Sequence, residues 1–243
     1  MSYPVPANLI RRGGPAVVGA LTGLLLLASY PFAARAQSSA IVDEGTLVVS
    51  RGGAVVGRES FRIVRSPGPN GQVLVSTGQS AIGDNRVTSR LGTDSAGVPV
   101  LYEANINIRG EQIQRLQGRG RPGRFSVLVQ TKTGESAKDY LLTNGALLLD
   151  DEVFHQFYFV PRLSAHAQIN VIDPRAAGQA TYSLADRGSE SITIARQTVQ
   201  SRHFALVSPT GSTQDVWVDG DGRLLKVALP DQNLVAQRDE LPH

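Results

Sequence analysis

The chain has 243 residues, with 24 lysines and arginines, 21 aspartates and glutamates, and no cysteine. Its formal charge of +3 arises at the amino terminus, since three basic residues and no acidic ones lie in residues 1–36, leaving 21 of each beyond them. This balance excludes the strong positive field on which nucleic-acid binding depends, and the lack of cysteine excludes disulfides and a lipid-modified amino-terminal cysteine.

Residues 1–36 have the pattern of a secretory signal peptide. Arg11 and Arg12 precede an apolar run from Ala16 to Ala34 that is short for a membrane span. The small-x-small sequence Ala34-Arg35-Ala36 predicts cleavage before Gln37. An uncleaved membrane anchor is the alternative. Export of a large domain without disulfides indicates a bacterial periplasm or cell exterior.

The remaining chain, residues 37–243, is predicted to form a single domain made mainly of β-strands. Turn-forming residues recur at short intervals, at 66–71, 83–85, 92–97, 118–123, 132–134, 173–174, 186–188, 208–211 and 219–222. Between them, residues 98–109 alternate between apolar and polar side chains, as in a half-buried strand. Noisier alternation is present at 54–65, 72–80, 123–132, 190–198, 202–208, 214–219 and 223–229. We therefore expect an all-β fold, an antiparallel meander curled into a barrel or half-barrel.

Some predicted strands carry apolar residues on both faces. Leu128 lies opposite Phe125 and Val127 in the alternation, and Trp217 lies opposite Val216 and Val218. A second apolar face needs a cover, and a curled sheet around a packed or ligand-filled interior provides one.

Residues 150–159 are predicted to form the one short helix, at an end of the barrel. Asp150 is a suitable N-cap, further acids occupy the first turn, and Pro161 is expected to end the helix. Its aromatic residues predict burial against the sheet, either as a plug that completes the core or as a wall of a ligand cavity. The candidate ligand-binding residues are Phe154, Phe157, Tyr158, Phe159, Leu128 and Trp217.

The short motifs do not support catalysis, a metal or a cofactor. Gly118 to Gly123 matches a dinucleotide-binding glycine pattern, but it contains Pro122 and precedes a strand, which favours a hairpin loop. The sequence around Ser80 misses the spacing of a nucleophile elbow. The four histidines are scattered, and the turn Asp219 to Gly222 is too short for a calcium loop. No catalytic, metal-binding or cofactor-binding residues are therefore assigned.

A group of arginines forms a local basic stretch on two predicted strands and their connection. Its members assigned as candidates for contact with an anionic surface are Arg115, Arg119, Arg121 and Arg124. A solvated surface is the simpler interpretation, and an anionic lipid headgroup or a partner is the functional one.

Two segments, 149–155 and 215–240, resemble a group of uncharacterised bacterial exported β proteins. That group is in turn distantly similar to the periplasmic lipoprotein carriers, whose half-open barrel holds acyl chains against a concave sheet. The resemblance implies binding of a lipid and transfers no catalytic residue.

The leading functional hypothesis is an exported, non-catalytic protein that binds a lipid or another apolar ligand, in cell-envelope maintenance. A periplasmic hydrolase and a structural or protein-interaction module are the alternatives. The expected partners are an apolar small molecule and a membrane surface, without nucleic acid and without a membrane span after cleavage. The oligomeric state is left open.

Overall fold

Short turns connect a succession of strands in the computed structural model, which describes residues 39–68, 71–143, 145–164 and 167–243. The fifteen strands are β1 (Ala40–Arg51), β2 (Ala54–Gly68), β3 (Gly71–Ile82), β4 (Asn85–Thr93), β5 (Pro99–Ile108), β6 (Glu111–Arg121), β7 (Arg124–Thr131), β8 (Gly134–Leu141), β9 (Ala146–Leu148), β10 (Gln168–Asp173), β11 (Gly178–Ile194), β12 (Gln197–Val207), β13 (Thr213–Val218), β14 (Leu224–Leu229) and β15 (Leu234–Arg238). A 3₁₀ helix (Phe154–Leu163) follows β9, and a short 3₁₀ turn (Pro230–Gln232) precedes β15. The predicted signal peptide lies outside the described residues.

The strands form one curled sheet in the order β8 to β1, then β15 to β9. Neighbouring strands are antiparallel except for β9 and β10, and β1 pairs with β15. The edges of this sheet are β8 and β9, which residues 142–145 connect along the chain. The predicted antiparallel meander curled into a barrel-like sheet is confirmed.

One continuous apolar core fills the concave side of the sheet. Inward side chains of the meander, such as Leu47, Ile63 and Leu116, are fully buried, while their neighbours along each strand face outward. Eight of the ten residues of the 3₁₀ helix are buried, and six of them belong to this core. Burial of apolar surface on this scale is the main force that holds the sheet curled.

The 3₁₀ helix and the turn before it extend along the interior instead of covering only one end. Glu152, just before the helix, accepts a hydrogen bond of 3.0 Å from Asn85 at the start of β4. Leu163, its last residue, lies near Gly97 in the turn that follows β4. The segment 152–163 therefore runs from one end of β4 to the other.

The predicted helix start and end need correction. The helix begins at Phe154 instead of Asp150, and its first turn contains no acid. Its first N–H groups are capped by Glu59 of β2, whose Oε2 accepts from Phe154 N at 2.8 Å and His155 N at 3.1 Å. Pro161 lies inside the helix, which ends at Leu163.

Strands β11 and β12 form a hairpin whose far part extends past β13. Residue Arg187, at the predicted turn 186–188, is instead the extra residue of a β-bulge within β11. The chain reverses at Ala195 and Arg196, inside the predicted strand 190–198. Beyond the bulge, Ile194 is fully buried against Trp217 and Leu225. We call residues 189–201 the hairpin arm.

The hairpin arm covers the apolar patch on the outer face of β13 and β14. Val216, Val218 and Leu224 face the main core, whereas Trp217 and Leu225 belong to a second, small cluster under the arm. The predicted second apolar face is thus covered by a hairpin from the same sheet.

The glycine-rich segment 118–123 is the end of β6 and a tight turn into β7. A Cβ on Gly118 would come within 2.6 Å of Phe125 Cε1, so the absent side chain makes room for that ring. In the described part of the chain, no helix is long and apolar enough to cross a membrane.

Candidate functional site

A cleft of about 430 Å³ opens beside the start of the 3₁₀ helix; we call it the end cleft. Its apolar wall consists of Leu149, Val153, Phe154, Phe157 and Leu229. Its polar rim consists of Asp150, Asp151, Glu152, Asp173, Arg175, Gln214 and Gln232. The end cleft combines an aromatic and aliphatic floor with several hydrogen-bonding groups, the usual composition of a small-molecule site.

A buried polar network fixes the loop that forms one side of the end cleft. Asp150 is 5% exposed, and its carboxylate accepts a hydrogen bond from the Tyr102 hydroxyl and lies 2.9 Å from Arg175 Nε. Arg175 Nη2 donates to Asp151 O at 2.9 Å. Gln156 Oε1 accepts from Asp150 N at 2.6 Å, which ties the helix to the same loop. These contacts tie the loop to β5, to the turn at Arg175 and to the helix, and so they fix the wall of the end cleft.

The rim of the end cleft carries more negative than positive charge. Burial raises the pKa of Asp150, and the opposing effect of Arg175 only partly offsets it. Burial also raises the pKa values of Glu152 and Asp173. The nearby negative charge of Asp151 raises both pKa values further. Burial and the neighbouring acid thus disfavour the ionised form of these carboxyl groups. Because four carboxyl groups and one guanidinium line the rim, a bound cation, which would relieve this effect, is favoured over an anion there.

A second buried polar group anchors the helix away from the end cleft. His155 Nδ1 lies 2.6 Å from Glu59 Oε1, and both side chains are fully buried. The His155 ring stacks on Phe61 with 6.2 Å between ring centroids. Histidine and carboxylate pairs also occur in catalytic sites, but this one is enclosed by core residues, and its carboxylate is occupied in capping the helix.

The structure brings the four aromatic candidates together on the helix but separates them from the other two. Phe154 and Phe157 line the end cleft, while Tyr158 and Phe159 are buried further along, with 5.4 Å between their ring centroids. Leu128 is half-buried on the outer face of β7, since the inward positions there are Phe125 and Val127.

Trp217 also lies on the outer face, under the hairpin arm. Its ring stacks on His203 with 4.4 Å between centroids, and its indole N–H donates to Glu190. The Nζ atom of Lys226 lies 4.5 Å from the centroid of the Trp217 ring. Trp217 therefore stabilises the arm, and neither it nor Leu128 shares a cavity wall with Phe157.

All four candidate arginines lie exposed on the outer face or at the turn of β6 and β7. Arg121 lies directly opposite Arg124 in the β6–β7 ladder. Arg119 lies two residues before Arg121 on the same face of β6. Arg115 is displaced further along β6, opposite Gln130. The structure thus groups Arg119, Arg121 and Arg124 and leaves Arg115 apart.

Sequence reasoning missed Tyr102, Arg175 and Glu59. Tyr102 and Arg175 meet Asp150 from strands and turns far along the chain, and Glu59 reaches the helix from β2. The one available signal was Glu59 itself, an acid at an inward position of an alternating strand between apolar residues. A buried acid needs hydrogen-bond donors, which indicates a partner without identifying it.

The turn Asp219 to Gly222 joins β13 to β14 as predicted. The Asp219 carboxylate accepts from Asp221 N at 2.9 Å and Arg223 N at 2.8 Å, and Arg223 Nε lies 2.7 Å from it. These contacts satisfy the carboxylate within the turn. Among the described residues, no group of three or more histidine, aspartate or glutamate side chains is placed to hold a metal ion.

Comparisons with known proteins support the fold of this chain. No family model and no curated protein matches the chain. Among solved structures, it is similar to a β-barrel-like protein of a domain of unknown function, DUF1849, from Brucella abortus. The two share 10% sequence identity with a TM-score of 0.50, over 82% of this chain and 97% of the other. The likeness agrees with the predicted barrel-like β fold.

Proposed function

We propose that the chain is an exported, non-catalytic protein that binds a small, largely apolar molecule in the end cleft. The observation that carries this proposal is the wall of Phe154, Phe157 and Leu229 beneath a polar rim in a cleft of about 430 Å³. That volume is within the range of about 300–1,000 Å³ typical of small-molecule sites.

The position of the 3₁₀ helix decides where such a ligand binds. The helix occupies the concave side of the sheet, where a lipoprotein carrier would place acyl chains, and eight of its residues are buried there. Binding in the end cleft requires no displacement of this helix. The acidic rim further favours a ligand whose polar end is uncharged or cationic over an anionic lipid.

The use of the buried acids supports a non-catalytic role. Glu59 caps the helix and holds His155, and Asp150 holds Tyr102 and Arg175, so both carboxylates serve to fix the chain. A hydrolase would need a nucleophile or an activated water within reach of such a group and of solvent.

A structural or protein-interaction module is the second candidate. The filled interior favours it, because a barrel with a solid core offers its surfaces instead of its lumen. Binding of an apolar probe at the end cleft separates the two candidates.

The experiment uses the neutral probe N-phenyl-1-naphthylamine, whose fluorescence rises in apolar surroundings. We expect saturable binding to the mature protein and its loss in Leu229→Lys, because Leu229 is a half-buried wall residue of the end cleft. Leu128→Lys is the matched control, a half-buried leucine on the outer face. Absence of saturable binding, or an equal loss in both variants, would contradict the site. Amino-terminal sequencing of exported material tests the export proposal and is expected to give Gln37 first.

A further inference from the structure

Three arginines and one exposed leucine meet where β6 turns into β7; we call this set the basic corner. Arg121 lies directly opposite Arg124, and Arg124 lies opposite Leu141 of β8. Arg119 is two residues before Arg121 and shares the exposed outer face of β6 with it. The basic corner therefore comprises Arg119, Arg121, Arg124 and Leu141.

The arginines of the basic corner outnumber the acids that reach them. Asp139 lies 3.3 Å from Arg124, and Glu103 lies 3.6 Å from Arg119 but also 3.8 Å from Arg90. Hydrogen bonding from Ser126 and the nearby charges of Arg124 and Arg121 lower the pKa of Asp139. Among the described residues, Asp139 forms its ion pair with Arg124 and not with Arg121. Arg119 and Arg124 are 59% and 65% exposed, so their guanidinium groups remain available to an external anion.

Placing Arg121 opposite Arg124 is unfavourable for the sheet itself. Like charges at directly opposed positions of an antiparallel ladder repel, and a neutral residue at either position would fit the strand equally well. A merely solvated face gains nothing from this arrangement. An external anion would relieve the repulsion.

The apolar member of the basic corner indicates which kind of anion binds there. Leu141 is 62% exposed and lies directly opposite Arg124. Arginine next to exposed aliphatic side chains suits the headgroup region of a bilayer, where guanidinium binds phosphate and the aliphatic groups enter the interface. Nucleic acid is disfavoured because the chain beyond residue 36 has 21 basic and 21 acidic residues and no general positive field.

We propose that the basic corner docks the protein onto an anionic phospholipid surface. Docking involves an outer surface distinct from the acidic end cleft. It is independent of the proposed ligand and would hold if no ligand bound there.

The test is flotation of the mature protein with vesicles of phosphatidylcholine alone or with added phosphatidylglycerol. We expect binding to the anionic vesicles only, weakening with added salt, and about fivefold weaker for each arginine neutralised. Arg121→Gln with Arg124→Gln should therefore bind about 25-fold more weakly, and Leu141→Ser should also weaken binding.

The matched control is Arg187→Gln with Arg196→Gln, which removes the same charge from two exposed arginines of the β11–β12 hairpin. It should retain vesicle binding. The double substitution removes the repulsion between Arg121 and Arg124 together with the exposed Arg124–Asp139 pair, which contributes little to stability, so the melting temperature should not fall. A melting temperature equal to that of the parent shows that lost binding does not result from unfolding. Equal binding to neutral vesicles, an equal loss in the control, or capture by soluble polyphosphate without vesicle binding would overturn the proposal.

Discussion

Gly78 leaves the space that the His155 ring occupies. Gly78 lies on the inner face of β3, and a Cβ there would come within 2.5 Å of His155 Cε1 and 3.1 Å of Glu59 Oε1. Both neighbours are fully buried and hydrogen-bonded to each other, so neither can move freely. The anchoring of the 3₁₀ helix therefore depends on the absence of a side chain at this residue.

Gly78→Ala is expected to destabilise the fold by about 1–3 kcal/mol, the usual cost of overpacking a core. Gly220→Ala is the control, since a Cβ there would meet nothing within 4 Å, and it should change stability by less than about 0.5 kcal/mol. Urea unfolding of the two variants and the parent measures the difference. Equal stability of the two variants would show that the ring and carboxylate adjust without cost.

For single residues, burial can be predicted from the sequence, but the partners of buried polar side chains cannot. The aromatic side chains of the helix were predicted to be buried from their apolarity alone, and they are buried. The side chains that bind the carboxylates of Glu59 and Asp150 were not predicted, because they lie 25 to 96 positions away in the chain. Local periodicity contains no information on pairs at such separations.

Strands were predicted best where one face is apolar and the other polar. The interpretation of 98–109 as a half-buried strand is confirmed by β5, whose inward residues Tyr102, Ala104 and Ile106 are buried. Prediction of strands and turns from the sequence failed in the β11–β12 hairpin. There, a bulge at Arg187 resembles a turn in sequence, and the true turn at Ala195 and Arg196 lacks glycine, asparagine and proline.

That turn is backbone-strained. Ala195 and Arg196 have φ values of 48° and 67°, as a two-residue hairpin turn of type I′ requires, but neither residue favours them. Ala195→Asn with Arg196→Gly should stabilise the protein by about 1 kcal/mol. Urea unfolding measures the gain, and hydrogen exchange of residues 189–201 locates it in the hairpin arm.

The control introduces the same two residues, asparagine followed by glycine, at the turn of another hairpin. Lys132 and Thr133 form the two-residue turn between β7 and β8 without positive φ. Asn and Gly at those positions should bring no gain. A gain of equal size at both turns would indicate an effect on the unfolded chain and not relief of strain.

At the scale of the whole molecule, the sequence predicts a curled antiparallel sheet but not how its edges meet. Apolar alternation and short turns require neighbouring strands to pair in order, and most of them do. The pairing of β1 with β15 and the parallel contact of β9 with β10 join residues distant in sequence. Such contacts depend on the global curl of the sheet.

The two halves of the sheet meet at a side-chain bridge in place of a backbone ladder. Gln179 of β11 donates from Nε2 to Leu141 O at 2.7 Å and accepts from Leu141 N at 3.2 Å. Its amide thus imitates a neighbouring strand at the last residue of edge strand β8. Lys138 on the same strand donates to the carbonyl oxygen of Ala177, two residues before Gln179. These contacts cover part of an edge that would otherwise be open to another chain.

Removing this bridge should loosen the edge without unfolding the barrel. In Gln179→Ala, the Leu141 amide loses its acceptor, and a hydrogen bond of this kind contributes about 0.5–1.5 kcal/mol net, so its hydrogen exchange should become about three- to tenfold faster. Core amides such as that of Leu116 should exchange as before, because the 3₁₀ helix and the continuous core hold the sheet. Gln130→Ala is the control, since the Gln130 side chain binds only the Glu135 side chain on the neighbouring strand in the described structure, and the Leu141 amide should not respond to it. Unchanged Leu141 exchange in Gln179→Ala would show that the Gln179 side chain does not hold this edge.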